Sequence, residues 1–326
     1  MTNKLPEGYQ VRRPTMDDVE AVSELINICD IAEYGEPDMT LDDLRTEWQA
    51  PSFQLDTDAW MVSAPEGRLV GYAEMGQRQH AKIYAFVRVL PTYTGRGIGE
   101  HLLQLAEAWA RQQMAEADPE ARVTLNSWAS SNNEVAQQRF ERAGYEAIRR
   151  HWRMEIDMQV VPPEPEWPEG ITIRTFQPDM DRQVFEMIET AFQDHWGHMP
   201  GNFEEWRHWT IERKTFDPTL WFLAFEGEQI AAGSLCTTFM DVGWVDTLAV
   251  LRPWRRKGLG RALLLHSFGE FYRRGGRKVA LGVDSQNLTG ATRLYERAGM
   301  HVARQYISYQ KELRAGKELS TQTISV

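Results

Sequence analysis

The sequence predicts two tandem α/β (α+β) domains, each a mixed, mostly antiparallel sheet flanked by helices. Three observations carry this prediction. Gly95-Arg96-Gly97-Ile98-Gly99 recurs as Arg256-Lys257-Gly258-Leu259-Gly260, and the tetrapeptide Glu-Arg-Ala-Gly follows each copy, at 141–144 and 296–299. The offset between copies is near half the chain. That is too long for a solenoid, whose repeats run roughly 20–50 residues, and fits two globular domains in 326 residues. Between the halves, residues 161–170 carry prolines at 162, 163, 165 and 168, so this stretch has few backbone donors and stays extended. The expected organisation is a first domain over 1–160, a linker over 161–170 and a second domain over 171–326.

Each element follows in the same order in both halves. A short strand opens each (Gln10–Arg13; Ile171–Arg174). A helical region is next: 17–29 and 41–48 in the first half, 182–192 and 202–213 in the second. Val184, Met187, Ile188, Ala191 and Phe192 fall at i, i+3, i+4, i+7, i+8, a buried helix stripe. Asn202, three residues before Glu205, reads as a helix cap. Three strands follow (59–63, 69–74, 81–90; 219–225, 229–237, 243–251), then the glycine turn and an amphipathic helix. Gly275-Gly276 stops the second of these helices. A fifth strand (123–127; 278–283), a helix running into Glu-Arg-Ala-Gly and a closing strand pair complete each domain.

Composition narrows the partners. A formal net charge of −11 repels nucleic acid and anionic membrane surfaces. The two cysteines, Cys29 and Cys236, lie in different halves without metal-ligand spacing and read as buried apolar residues. No metal site is expected. No stretch approaches the roughly 20 apolar residues of a membrane span, and the N-terminus lacks the apolar core of a signal peptide, so a cytoplasmic location is expected. Of the 12 tryptophans, Trp196, Trp206 and Trp209 crowd one part of the second half; core packing and an aromatic-lined pocket both account for them.

The glycine turns carry the chemistry. Gly258 and Gly260 open backbone angles closed to other residues. The first amides of the following helix lack intrahelical partners and face outward at partial positive charge. Arg255, Arg256, Lys257 and Arg261 add positive charge in an acidic protein, and the sum suits a pyrophosphate. Neither familiar nucleotide loop fits. Gly-x-x-x-x-Gly-Lys-Ser/Thr is absent, and the spacing required of a dinucleotide fingerprint is not met at 95–100 or 258–263.

On these residues the chain resembles the GCN5-related N-acetyltransferase (GNAT) superfamily. The pattern Arg/Gln-x-x-Gly-x-Gly/Ala is met by Arg255, Gly258 and Gly260. Asn287, then Leu294-Tyr295, Gly299 and Met300, match a second element of that superfamily. The likeness spans about 171–312, and 9–158 with weaker motifs; the layout is similar to that of the tandem mycothiol synthases. The resemblance implies acetyl-CoA or another acyl-CoA as cosubstrate. The turn over Arg256, Lys257, Gly258, Leu259, Gly260, Arg261 and Ala262 is implied to hold the pyrophosphate, and backbone groups of Leu248 and Val250 the pantetheine. Tyr295 falls on the general-acid position; a phenol with an ordinary pKa of about 10 is protonated at neutral pH, as that role requires.

The base and the acceptor pocket are less marked. Asp246 stands two residues before Leu248 and by strand alternation shares its face. Asp194, His195, Trp196 and His198 lie where the superfamily places acceptor-binding residues, while Trp244 stands where several relatives carry a catalytic glutamate. In the first half, Thr94 replaces the leading Arg/Gln and Phe140 the tyrosine, so that half is expected to be catalytically silent. The expected function is acetyl transfer from acetyl-CoA to a primary amine of a small molecule or peptide, by a monomer or homodimer. A CoA-binding sensor without turnover is the alternative.

Overall fold

The computed structural model of the chain describes residues 5–287 and 290–322. Its first half runs β1 (Gln10–Arg12), α1 (Val19–Tyr34), α2 (Leu41–Trp48), α3 (Leu55–Asp58), β2 (Ala59–Ser63), β3 (Leu69–Arg78), β4 (Lys82–Val89), α4 (Ile98–Gln113), β5 (Val123–Ser130), α5 (Glu134–Arg142) and β6 (Glu146–Asp157). The second runs β7 (Ile171–Thr175), α6 (Asp181–Phe192), α7 (Phe203–Thr210), β8 (Trp221–Glu226), β9 (Gln229–Phe239), β10 (Val242–Val250), α8 (Leu259–Arg273), β11 (Lys278–Asp284), α9 (Ala291–Arg297) and β12 (His301–Arg314).

The chain forms two compact units whose make-up departs from the sequence halves. Unit 1 comprises the residues up to Arg149 together with Tyr306–Leu319; unit 2 comprises Arg150–Gln305 and the residues from Ser320. The expected closing strand pair is therefore a single long strand in each half, and the two are exchanged. Residues 306–314 of β12 pair antiparallel with β5, and residues 151–157 of β6 pair antiparallel with β11. The sheet order is β1-β2-β3-β4-β5-β12 in unit 1 and β6-β11-β10-β9-β8-β7 in unit 2. All pairings within each are antiparallel except β4 with β5 and β10 with β11.

Local chemistry explains the elements. In α2, Thr40 Oγ1 accepts from the Asp43 amide at 3.1 Å, and the Asp43 carboxylate accepts from the Thr40 amide at 3.2 Å, a reciprocal cap. In α7, Asn202 Oδ1 accepts from the amides of Glu204 and Glu205. The α6 stripe packs as expected: Val184, Met187 and Ala191 are buried with Leu223, Leu235 and Ala249 of the sheet, and Ile188 and Phe192 are partly buried beside them. On the opposite face of the unit 2 sheet, α8 buries Leu263, Leu264 and Phe268 against Cys236, Val245 and Val279. Trp206 joins Phe185, Phe203 and Trp221 in an aromatic cluster on the α6 side, so its role is packing. Trp209 is exposed.

Candidate active site

In unit 2 the parallel strands β10 and β11 pair only at Val242–Lys278, Gly243–Val279 and Trp244–Ala280. Beyond Trp244, β10 continues with β9 to Val250, and β11 continues with β6 to Asp284. The strands thus part company halfway, and the inner edge of residues 245–250, including Leu248 and Val250, is left without β11 as a partner. The ladder with β9 shifts between Val245 and Thr247, so Asp246 is the extra residue of a β-bulge. This corrects the face assigned to Asp246. Val245, Leu248 and Val250 all pack on the α8 side of the sheet, and the inserted residue takes Asp246 off the face of Leu248. Its carboxylate is exposed and accepts from Thr237 Oγ1 at 2.8 Å.

The turn after β10 stands at the open end of this parting. Trp254 is buried and anchors it. Arg256 and Gly258 have φ of 64° and 86°, and Gly258 caps α8. The first amide with a main-chain acceptor is that of Ala262, bonded to the Gly258 carbonyl at 3.0 Å; among the described residues the amides of Arg256 through Arg261 have none. These free donors stack with the positive end of the α8 dipole. Arg256, Lys257 and Arg261 are exposed around them. A side chain at Gly258 would meet nothing within 4 Å, so the space over the turn is open. A pyrophosphate fits this donor set in charge and in hydrogen-bonding sense.

Arg255 does something different from its neighbours. Its Nε donates to the Val250 carbonyl at 3.0 Å and an Nη to the Ala191 carbonyl at 2.9 Å, with Asp194 at 3.5 Å. Asp194 also takes a two-pronged contact from Arg252, with Nε–Oδ2 at 2.8 Å. The hydrogen bond from Arg252, and the charges of Arg252 and Arg255, hold the Asp194 carboxyl below its usual range. Asp194 is thus engaged by arginines and ties the end of α6 to the turn. His195 packs on Phe192 at 4.4 Å between ring centroids; burial, then the Arg255 charge, push its pKa down, leaving a neutral imidazole at pH 7. Trp196 is half-buried in the same loop.

Tyr295 lies in α9, 8% exposed, with its pKa raised to about 12 by burial alone. It belongs to the same hydrophobic cluster as Leu259 and Leu263 of α8 and Val245 of β10, with Leu248 packed against that cluster. Asn287 makes a turn bond from its amide to the Asp284 carbonyl at 3.0 Å just after β11. Trp244, at the last paired position of β10, carries the Arg153 guanidinium 4.7 Å from its ring centroid, and Arg153 pairs with Glu155 at 2.6 Å.

Two contributions lie outside the sequence reasoning. Arg153 and Glu155 enter unit 2 on the exchanged strand β6, whose strand-like pattern gives no hint of which sheet it joins. Thr321 fastens the 193–198 loop. Its carbonyl accepts from the Gly197 amide at 2.6 Å, its amide donates to the His198 carbonyl at 2.9 Å, and its hydroxyl donates to the Gln193 carbonyl at 3.0 Å. Nothing in the composition of that segment marks it. Among the described residues no cluster of three or more His, Cys, Asp or Glu side chains is placed to hold a metal ion, and no helix is long and apolar enough to cross a membrane.

Unit 1 repeats the geometry with changed side chains. β4 and β5 pair only at Lys82–Thr124, Ile83–Leu125 and Tyr84–Asn126. Gly95 and Gly97 have φ near 80°, and among the described residues the amides of Gly95 through Glu100 have no main-chain acceptor. The register of β4 with β3, however, runs without a shift from Val89 to Lys82, so unit 1 has no counterpart of the Asp246 bulge. Phe140 is buried against Tyr145 and Tyr309. A Cβ on Gly99 would collide with Arg139 Nη1, whereas one on Gly260 in unit 2 would rest against Leu294 at 3.4 Å.

A strand parting beside a glycine turn with free amides makes a cradle suited to a pyrophosphate-bearing cosubstrate. The chain matches the acetyltransferase (GNAT) family twice, over residues 19–145 and 182–300, and belongs to that family. It is an N-acetyltransferase of the tandem type. It is 30% identical over 300 residues to a mycothiol acetyltransferase of Geodermatophilus obscurus, covering 86% of this chain and 90% of that one. It is 29% identical to a mycothiol acetyltransferase of Catenulispora acidiphila, covering 92% and 97%. Among solved structures, a GCN5-related N-acetyltransferase from Sphaerobacter thermophilus superposes with a TM-score of 0.84 at 38% identity, covering 98% of this chain and all of that one. A tandem GNAT protein from the clavulanic acid biosynthesis pathway shares the fold, with a TM-score of 0.74 at 16% identity and coverage of 95% and 100%.

Proposed function

We propose that unit 2 transfers the acetyl group of acetyl-CoA directly to a primary amine of a small molecule, and that unit 1 is catalytically silent. The observation that carries this is the row of free amides at the start of α8, set at the mouth of the β10–β11 parting. The pyrophosphate is held by the amides of Arg256–Arg261 with Arg256, Lys257 and Arg261 around it, and the pantetheine by the inner edge of β10 at Leu248 and Val250, with Asn287 flanking. The acceptor amine attacks the thioester carbonyl, forming the C–N bond as the C–S bond breaks. The proton lost by the amine leaves to solvent water, since the β-bulge carries Asp246 off the face of Leu248 and onto Thr237. Tyr295 donates its phenolic hydrogen to the departing thiolate sulfur. With a pKa near 12 the phenol keeps its proton until a strong base such as a desolvated thiolate forms beside it.

The acceptor lies against the 193–198 loop, with His195 and Trp196 as contacts and Asp194 as the residue that positions the loop. The amine precursor of mycothiol is the first acceptor to try, because mycothiol acetyltransferases match nearly the whole chain. Release of free thiol from acetyl-CoA is followed with that precursor, aminoglycosides, polyamines and peptide N-termini. Thiol release dependent on one of these amines is the expected result. Binding of acetyl-CoA with no amine-dependent release across the panel refutes turnover and leaves a CoA-sensing module.

A further inference from the structure

Unit 1 contains a cavity of about 360 Å³ between α1, the end of β4, the glycine turn, β5 and α5. This is near the lower end for small-molecule pockets, roughly 300–1,000 Å³. Its charged lining is Glu33, Arg88, Glu134 and Arg139, two of each sign. Arg88 is 9% exposed. Its guanidinium lies 4.5 Å from the Phe86 ring centroid and 4.9 Å from that of Trp128, with one Nη 3.3 Å from Asp30. Its Nε is buried and has no hydrogen-bond partner, and the same is true of Arg139 Nε. Buried guanidinium donors without acceptors are costly, and both guanidinium-bearing residues line the cavity. Opposite in charge, Glu33 is held by Asn133, whose Nδ2 donates to Glu33 Oε2 at 2.9 Å while its Oδ1 caps α5.

We propose that this cavity binds a free α-amino acid or an equally small zwitterion, its carboxylate toward Arg88 and Arg139 and its ammonium toward Glu33 and Glu134. A plain anion would face the charges of the two glutamates, and a plain cation that of Arg139, Arg88 being already paired with Asp30. The site is separate from acetyl transfer in unit 2 and does not depend on it. Where Arg139 stands in unit 1, unit 2 has Leu294, so the ligand-binding charge belongs to unit 1 alone.

The test is titration calorimetry of the full chain with the common L-amino acids, with butyrate and butylamine as single-charge probes and acetyl-CoA as a control. At least one amino acid is expected to bind, with butyrate and butylamine at least about tenfold weaker. Arg139→Leu should weaken that amino acid at least about tenfold while thiol release from acetyl-CoA is unchanged. Glu33→Gln, nearly isosteric, should erase the preference over butyrate, and it decides the question if Arg139→Leu does not fold. No binding by any amino acid up to about 10 mM, equal binding of butyrate, or unchanged affinity in either folded variant would overturn the proposal. So would acetyl-CoA binding that is lost only in Arg139→Leu, which would assign the cavity to the cosubstrate.

Discussion

Replacing Tyr295 by Phe removes one oxygen and nothing else. The ring is 8% exposed and packs among residues of α8 and β10, and burial is the sole cause of its raised pKa, so no protein partner loses a hydrogen bond. Stability should therefore change by no more than about 0.5 kcal/mol, because no buried group is left unsatisfied. Catalysis should fall much further. Loss of a positioned general acid costs roughly 10²–10⁴ in rate, which is about 2.7–5.5 kcal/mol in the barrier. The assay is steady-state thiol release with acetyl-CoA and the best acceptor, with melting temperature measured on the same samples. The expected result is kcat down by that factor, KM for acetyl-CoA within about threefold and an unchanged melting temperature. The pH profile adds a second check. With a pKa of about 12, Tyr295 stays protonated through pH 10, so the wild-type rate should show no alkaline fall from this group below that pH. A Tyr295→Phe enzyme retaining a third or more of the wild-type kcat would refute the assignment.

Four further outcomes are expected. Asp194→Asn weakens the clasp of Arg252 and Arg255; KM for acetyl-CoA should rise roughly tenfold, the ~1.4 kcal/mol of one charge-assisted bond, with kcat nearly constant in the same assay. Gly258→Ala and Gly97→Ala place a side chain at φ of 86° and 80°, and each should cost about 1–2 kcal/mol in urea unfolding, but only the Gly258 change should raise KM for acetyl-CoA. Cys236 is buried and its thiol pKa is pushed up to about 12 from 9.0. Between those values the unfolded chain gives up a proton that the folded chain keeps, so this contribution to stability is whole below pH 9 and is lost as pH rises toward 12; Cys236→Ala should flatten that alkaline decline in urea unfolding curves. Finally, residues 1–160 expressed alone lack the 306–314 strand and with it Tyr309, 1% exposed and stacked on Phe140 at 5.2 Å. Loss of one such buried aromatic costs about 3–5 kcal/mol, so this piece should be unfolded by circular dichroism unless the second piece is present.

Much of the fold is legible because its causes are local. Both glycine turns are readable from spacing, since the left-handed φ at Gly97 and Gly258 favours glycine. The α6 stripe is readable from its period, and the Asn202 cap from one side chain. What escapes the sequence is set by partners distant along the chain. β6 and β12 read as strands, but strand chemistry does not say which neighbour a strand will take, and so the exchange is hidden. The bulge at Asp246 comes from register with β9; without it, alternation puts Asp246 on the face of Leu248, which is where the sequence reasoning puts it. Arg255 reads as a phosphate ligand by type and position. Its guanidinium is instead engaged by Val250, Ala191 and Asp194, the last two more than sixty residues away in sequence.

The repeat also shows which parts of the site are cheap to keep and which mark function. The free amides and the left-handed glycines are properties of a strand–turn–helix connection, and both units have them. A backbone cradle persists through duplication because the fold itself requires the turn. Side chains are under no such requirement, and that is where the units separate. Unit 2 has Arg255 fastening the turn, Leu294 leaving the helix start clear, Tyr295 with its hydroxyl and a bulge in the strand before the turn. At the matching positions unit 1 has Thr94, Arg139 against Gly99, Phe140 and an unshifted ladder. On the proposed mechanism each difference removes a group assigned to acyl transfer in unit 2, and Arg139 adds a charge with no counterpart there. If the cavity of unit 1 binds a zwitterion as proposed, loss of the Arg139 charge should be felt in that binding and not in acetyl transfer.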